Sequence, residues 1–273
     1  MMGIPDAVRR AALFPERDLH ALPAGHPTRV VQVAGVVVRL LAGLPVALIS
    51  PERLEESAIP STVDEVRRFL RAEERDKGVW IVSEEASPRD LAARLQALGM
   101  RPSDLPGVEA HSAAMVAISA PPPAPDGVVA RRAASFEEFL AAQLIMADAF
   151  GMDEETRRAF EKRAQLLWSF QSAEGAGATF VALLDGEVVA FGGAYFGRTA
   201  VFLGGGGTRP DRRGRGAYRA LVRARWDAAV ERGTPALTVG AGAMSRPILE
   251  RLGFTIVGWD DCLLDDLAAA KGC

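Results

Sequence analysis

The sequence predicts a mixed α/β fold built on a mixed sheet, in two parts of unequal weight. Three observations carry that expectation. Short apolar runs broken by Gly and Pro alternate with amphipathic stretches of helical period. The stretch ISAPPPAPDG (Ile118 to Gly127) divides the chain near its middle, because closely spaced prolines favour extended, semi-rigid polyproline II. After it the elements follow in the order β-α-α-β-β-β-α-β-α-β. The expected units are a smaller α/β region over 1–120 and a larger one over 127–273.

In the first unit, VVQVAGVVVRLLAGLPVALIS suggests buried strands broken at Gly35 and at Gly43–Pro45. A helix follows, with Ser61 or Thr62 as N-cap, Asp64 and Glu65 in its first turn and Gly78 at its end. VWIVS is a short strand. SPRDLAARLQALGM is a second helix, capped by Ser87, with Pro88 at its first position and Gly99 as its stop.

The second unit opens with the strand GVVARRA. Ser135 and Glu138 form a capping-box signature for an apolar helix, and a charged helix follows from Asp153. Asp185–Gly186 marks a hairpin turn between two strands, and TAVFLGGGG is a third strand that ends in glycines. A basic turn, a helix to Arg232, the strand PALTVG, the helix MSRPILERLG and a last strand from Phe254 complete the unit. Asp76 to Met100 and Glu231 to Phe254 echo one another: each runs charged helix end, Gly, strand, loop, Pro near a helix start, Leu-Gly.

Composition excludes several classes. A net charge of −3 gives no reason to expect nucleic acid or an anionic membrane as partner. Cys262, Cys273 and the scattered His20, His26 and His111 supply no metal set, and so few cysteines fit a reducing cytoplasm. The opening residues lack the continuous apolar core of a signal peptide. The run Val30 to Ile49 is too interrupted, by Gln32, Gly35, Arg39, Gly43 and Pro45, to cross a bilayer as a helix.

The candidate site is TRPDRRGRGAY, at the mouth of the helix AYRALVRARWDAAVERG. The first N–H groups of a helix have no intrahelical partners, and the macrodipole places positive potential there. Gly214 and Gly216 let the backbone approach a bulky anion, so a diphosphate can be held by main-chain donors with arginines beside it. A Walker A loop is excluded because no Gly-Lys-Ser/Thr is present. A dinucleotide fingerprint is excluded because its third glycine falls on Arg219. The chain's acidity argues against an arginine-rich nucleic-acid helix.

Strand–TRPDRRGRGAY–helix–strand–MSRPILERLGF–strand resembles the GNAT superfamily of acyl-CoA N-acyltransferases over about residues 127–265. Arg213, Gly216 and Tyr218 fall on the first, fourth and sixth positions of the superfamily's Arg/Gln-x-x-Gly-x-Gly/Ala motif, and the first unit would be half of a degenerate GNAT-like unit. The resemblance implies acetyl-CoA or another acyl-CoA as co-substrate, without a metal. Amides from Gly214 through Arg215, Gly216 and Ala217 to Tyr218 would hold its pyrophosphate, with Arg213 and Arg215 beside them. Amides near Gly206 and Thr208 would face the thioester carbonyl as fixed donors, and Arg209 would also belong to the cofactor-binding set. A small-molecule or peptide amine would attack directly, and a homodimer is compatible with the family.

The chain departs from the family at three places. Tyr218 stands where a small residue is usual, either anchoring the helix start or touching CoA. The tyrosine that often protonates the CoA thiolate is replaced by Leu249, and an asparagine of the preceding loop by Gly242. Ser245 is the nearest polar substitute as catalytic acid, against its alternative role as a helix cap. No base stands out: Asp153, Glu154, Glu155, Glu187, Glu109 and His111 are candidates whose default roles are helix-start or surface groups. Phe150, Trp168, Phe170 and Phe196 could line an acceptor pocket, with core packing as their default. A catalytically inactive acyl-CoA sensor or regulator is the alternative reading.

Overall fold

The computed structural model describes residues 3–149, 151–171 and 175–268. Helix α1 (Asp6–Leu13) and the single turn α2 (Pro15–Asp18) precede β1 (Arg29–Val33), β2 (Val36–Leu40) and β3 (Val46–Ser50). Then come α3 (Ile59–Ala72), β4 (Lys77–Ser83), α4 (Leu91–Ala97), the short β5 (Arg101–Pro102) and β6 (His111–Ala117). The second half comprises β7 (Val128–Arg132), α5 (Phe136–Ala149), α6 (Glu154–Trp168), β8 (Gly177–Leu184), β9 (Glu187–Phe196) and β10 (Val201–Thr208). It closes with α7 (Ala217–Glu231), β11 (Leu237–Ala241), α8 (Arg246–Arg251) and β12 (Thr255–Asp266). No helix among the described residues is long and apolar enough to cross a membrane.

All strands join one mixed sheet in the order β1-β2-β3-β4-β12-β6-β11-β10-β9-β8-β7, with β5 on β12. The two halves repeat one plan. An antiparallel meander leads into a crossover helix and a parallel strand, β3-α3-β4 in the first half and β10-α7-β11 in the second. A short helix and a final strand follow in each. The final strands are exchanged: β12 pairs with β4 of the first half, and β6 of the first half pairs with β11 of the second. The two final strands also pair with each other. The echoing segments thus occupy equivalent places, β4-α4 and β11-α8.

Local chemistry explains most boundaries. Asp185 and Gly186 take φ +52° and +82°, the mirror-image turn that matches strand twist. Asp153 caps α6, accepting from the Thr156 N–H at 2.8 Å. The expected capping box is altered: Ser135 Oγ accepts from the Glu138 N–H, but the Glu138 carboxylate takes the Ala134 N–H and both Nη atoms of Arg131. Helix α3 begins at Ile59, two residues before the expected cap, because Pro60 supplies its first turn. Ser61 donates to the Ala58 carbonyl inside that turn, and Gly78 lies in β4, not at the helix end. Helix α4 starts at Leu91 with Asp90 before it, so Ser87 and Pro88 precede the helix, while Gly99 at φ +94° does stop it.

Helix α7 packs Leu221, Val222, Ala228 and Ala229 into the largest apolar cluster, which fixes its N-terminus against the sheet. The proline-rich stretch is strapped along this helix rather than free. Pro121 is buried and its carbonyl accepts from Arg223 Nη1 at 3.3 Å, while Pro125 lies against Gly216.

Candidate functional site

The parallel pair β10-β11 is in register only at Val201–Leu237 and Phe202–Thr238, and beyond Phe202 the two strands part. On its other side β10 pairs with β9 through a bulge. Gly204 faces Gly193 and Gly206 faces Gly192, so Gly205, at φ +60°, is left out of the ladder. A cleft of about 490 Å³ opens where the strands diverge, between the end of β10, the start of α7 and α8.

Of the expected site residues, Gly206, Thr208, Arg213, Gly214, Gly216, Ala217, Tyr218 and Ser245 line this cleft together. Gly214 and Gly216 adopt φ +79° and +80°, a conformation open to glycine and strained for other residues. Gly216 is the N-cap of α7, and no side chain caps the first-turn amides. Arg213, Arg219 and Arg251 face the cleft without a carboxylate partner among the described residues, and Arg219 Nε is buried with no hydrogen bond. Unfilled helix amides beside unmatched guanidiniums suit a polyphosphate.

Two expected residues stand apart. Arg209 is not in the cleft: its guanidinium is held by Glu187 and by Asp211, at 2.9 Å, on the far side of the turn. The Glu187 carboxylate is engaged by Arg209 and Arg212, and those arginines hold it below the usual carboxylate range. Arg215 is exposed and does not line the cleft.

Tyr218 is half-buried, with its ring edge beneath Gly206 and its phenol against Arg225. Burial pushes this phenol up, with the Arg225 guanidinium pulling the other way. Ser245 Oγ donates to the Gly242 carbonyl at 3.4 Å and caps no helix amide. Leu249, at 0% exposure, is part of the core, so the position carries no acid.

A second cavity, of about 110 Å³, lies across the bulge, between β8, β9, α5, α6 and the segment from Leu22 to Leu41. It reaches Gly193 and Gly204, while the cleft reaches Gly206 and Gly207, so the two spaces flank the bulge. Its polar lining includes His26, Arg39, Gln143, Arg163 and Tyr195. Arg39 is matched by Glu16, donating through Nε at 2.9 Å and Nη2 at 2.7 Å. Burial lowers the His26 pKa, with Arg39 and Arg163 adding to the effect and the Thr28 backbone opposing it. His26 Nδ1 lies 3.0 Å from the Thr28 nitrogen and 3.2 Å from the Thr28 carbonyl oxygen, accepting from the first when bare and donating to the second when protonated.

Sequence spacing does not bring these residues together, since they come from both halves. One signal was legible: Gln143 is the lone polar side chain within FEEFLAAQLIMA that is buried, at 4% exposure. Of the aromatic candidates Phe170 lines the cavity, Trp168 packs on Phe136 and Phe139, and Phe196 stacks beneath Arg232. Phe150 lies outside the described residues. Glu109 accepts from the Ala243 N–H at 2.8 Å, and His111 stacks on Trp259 at 4.7 Å beside Asp261. Neither lines the cleft or the cavity.

The bulge is sensitive to any added atom. A Cβ on Gly204 would lie 2.2 Å from Tyr195 Cε2, so Gly204→Ala is expected to cost about 1–3 kcal/mol through forced repacking. Urea denaturation reads this, and an unchanged midpoint would show that the Tyr195 ring gives way freely.

Diverging strands, a bulged fourth meander strand and a glycine-capped crossover helix define a GNAT-type acyltransferase fold. Residues 142–254 match the model of the Acetyltransferase (GNAT) family. The fold is shared with a GCN5-related N-acetyltransferase from Kribbella flavida, at 23% identity and TM-score 0.67, covering 97% of this chain and 96% of that one. It is shared with a GCN5-related N-acetyltransferase from Sphaerobacter thermophilus, at 17% identity and TM-score 0.60, covering 96% and 92%. A tandem GNAT protein from the clavulanic acid biosynthesis pathway aligns at 15% identity and TM-score 0.57, covering 96% of each chain. Among curated proteins none matches the sequence. Residues 142–254 match the GNAT family, and the fold of the chain, with a GNAT-like region before that domain, is the one these structures share.

Proposed function

We propose that this chain is a cytoplasmic N-acyltransferase that moves an acetyl or other short acyl group from acyl-CoA to an amine by direct attack. The observation that carries the reading is the placement of cleft and cavity on either side of the β10 bulge. The unit 127–273 binds acyl-CoA, and the unit 1–120 completes the acceptor side through His26 and Arg39. The α7 amides and Arg213 hold the pyrophosphate, and backbone N–H groups around Gly205 and Gly206 face the thioester oxygen. The amine nitrogen forms its bond to the carbonyl carbon from the cavity side. The carbon–sulfur bond breaks, the electron pair leaves on sulfur, and the ammonium proton passes to solvent.

The test is thermal unfolding with saturating acetyl-CoA. A ligand at about 100 times its Kd adds roughly 2.7 kcal/mol, a rise of a few degrees. Gly214→Asp should abolish the rise: its Cβ meets no neighbour, aspartate bears the strain of positive φ better than most residues, and its carboxylate repels phosphate. No rise in the unaltered protein overturns the reading. Burial of Leu249 at the usual acid position favours a second reading, an acyl-CoA sensor without turnover. Acetyl-CoA-dependent thiol release with any amine decides between them.

A further inference from the structure

We infer that the acceptor carries a carboxylate as well as its amine, and that Arg163 is the residue that binds it. The inference rests on the acyltransferase reading for the amine; the carboxylate site stands on the cavity alone. Arg163 projects from α6 into the enclosed cavity, with its Cβ packed at 3.4 Å from where a Gly43 side chain would begin. Its Nη1 donates to Gln143 Oε1 at 2.8 Å, while its Nε is out of reach of solvent and has no partner. Among the described residues no acidic side chain lines the cavity. The other guanidinium there, Arg39, already holds the Glu16 carboxylate through two parallel hydrogen bonds.

An unmatched guanidinium in an enclosed space is a costly arrangement unless an anion fills it. The charge count is one, which suits a monoanionic carboxylate and not a dianionic phosphate. A fork of N–H donors matches the two carboxylate oxygens. The cavity has room for roughly seven to eleven water-sized volumes at about 10–15 Å³ each, the span of a small amino acid. Gln143 orients the guanidinium from one side. His26, whose Nδ1 is engaged by the Thr28 backbone, shares the lining. The same cavity reaches Gly204, so a carboxylate anchored on Arg163 would direct the amine towards the bulge.

The experiment reads binding without acyl-CoA. Thermal shift and calorimetry are run with the twenty standard α-amino acids, their carboxamides, and O-phosphoethanolamine, on the unaltered protein and on Arg163→Gln. At least one amino acid is expected to bind tenfold or more tightly than its carboxamide, and Arg163→Gln should remove that preference. Arg163→Gln should melt no lower than the unaltered protein, since it relieves an unpaired charge, and this shows that the variant folds. Equal binding of acid and carboxamide, no response to any amino acid, or a preference for O-phosphoethanolamine overturns the inference. Failure of the acyltransferase reading looks different: amino acids bind through Arg163, but acetyl-CoA gives no shift.

Discussion

Arg225→Ala is expected to lose about 3–5 kcal/mol of stability in urea denaturation, the largest loss for a single truncation near the site. Arg225 sits on α7 at 1% exposure, beneath the sheet face that carries the bulge. Its Nε donates to the Leu221 carbonyl at 3.0 Å and its Nη1 to the Gly193 carbonyl at 3.1 Å, and the Tyr218 phenol leans on the same group. Burial pushes its pKa down and the phenol pulls it back, which is the signature of a cation tolerated for its hydrogen bonds. Truncation leaves the Gly193 carbonyl and the phenol unpaired and opens a cavity between α7 and β9. Arg225→Met keeps the volume and removes the charge, so it should cost less than half as much. Because Gly193 faces Gly204 across the ladder, Arg225→Ala should also weaken the acetyl-CoA response. A loss under 1 kcal/mol would show that neither carbonyl nor phenol depends on the guanidinium.

The second large effect concerns pH. Asp260 on β12 is 7% exposed, and its Oδ1 has no hydrogen-bond partner. Burial first, then Glu84 and Asp261, raise its pKa from 3.8 to about 7, with His111 opposing. A carboxyl whose folded pKa exceeds its unfolded value stabilises the fold while both states are protonated. That contribution declines as pH rises from about 4 and is gone above about 7. A shift of roughly three pKa units corresponds to about 4 kcal/mol at most. Asp260→Asn cannot ionise, so its stability should be flatter over this range and exceed that of the unaltered protein at pH 8. The difference should vanish near pH 4. Parallel pH profiles for the two proteins would overturn the assignment.

The second half was legible because its signals are local. Asp185–Gly186, Asp153 and the run from Gly204 to Gly216 each specify backbone geometry through the residues that stand there. The cleft is mostly one contiguous stretch, so sequence spacing revealed it. Three things did not show. Strand β6, HSAAMVA, has five consecutive buried residues between strands of the other half, so it lacks the alternation that marks a half-exposed strand. Helix α1 is short and recognisable as core only because Val8, Ala11 and Ala12 meet Ala114 and Val116 of β6. The acceptor cavity gathers His26, Arg39, Gln143, Arg163 and Tyr195 from five elements or loops, an assembly that no spacing encodes. Cys273 lies outside the described residues. Cys262 is a buried free thiol pushed up to about 12 by burial, which leaves it unreactive.

The traded final strands set the order in which the molecule can be made. On the ribosome the first half emerges with the β4 edge bare, because its partner β12 follows the whole of the second half's meander and crossover in the chain. Strand β6 likewise waits for β11 and β12, although its own half is complete. Neither half can be severed at the proline stretch and expressed alone without exposing an open, apolar strand edge that invites aggregation. Such an exchange makes two modules one indivisible unit: the half that lacks the glycine-arginine turn is needed because the other half cannot close its sheet without it.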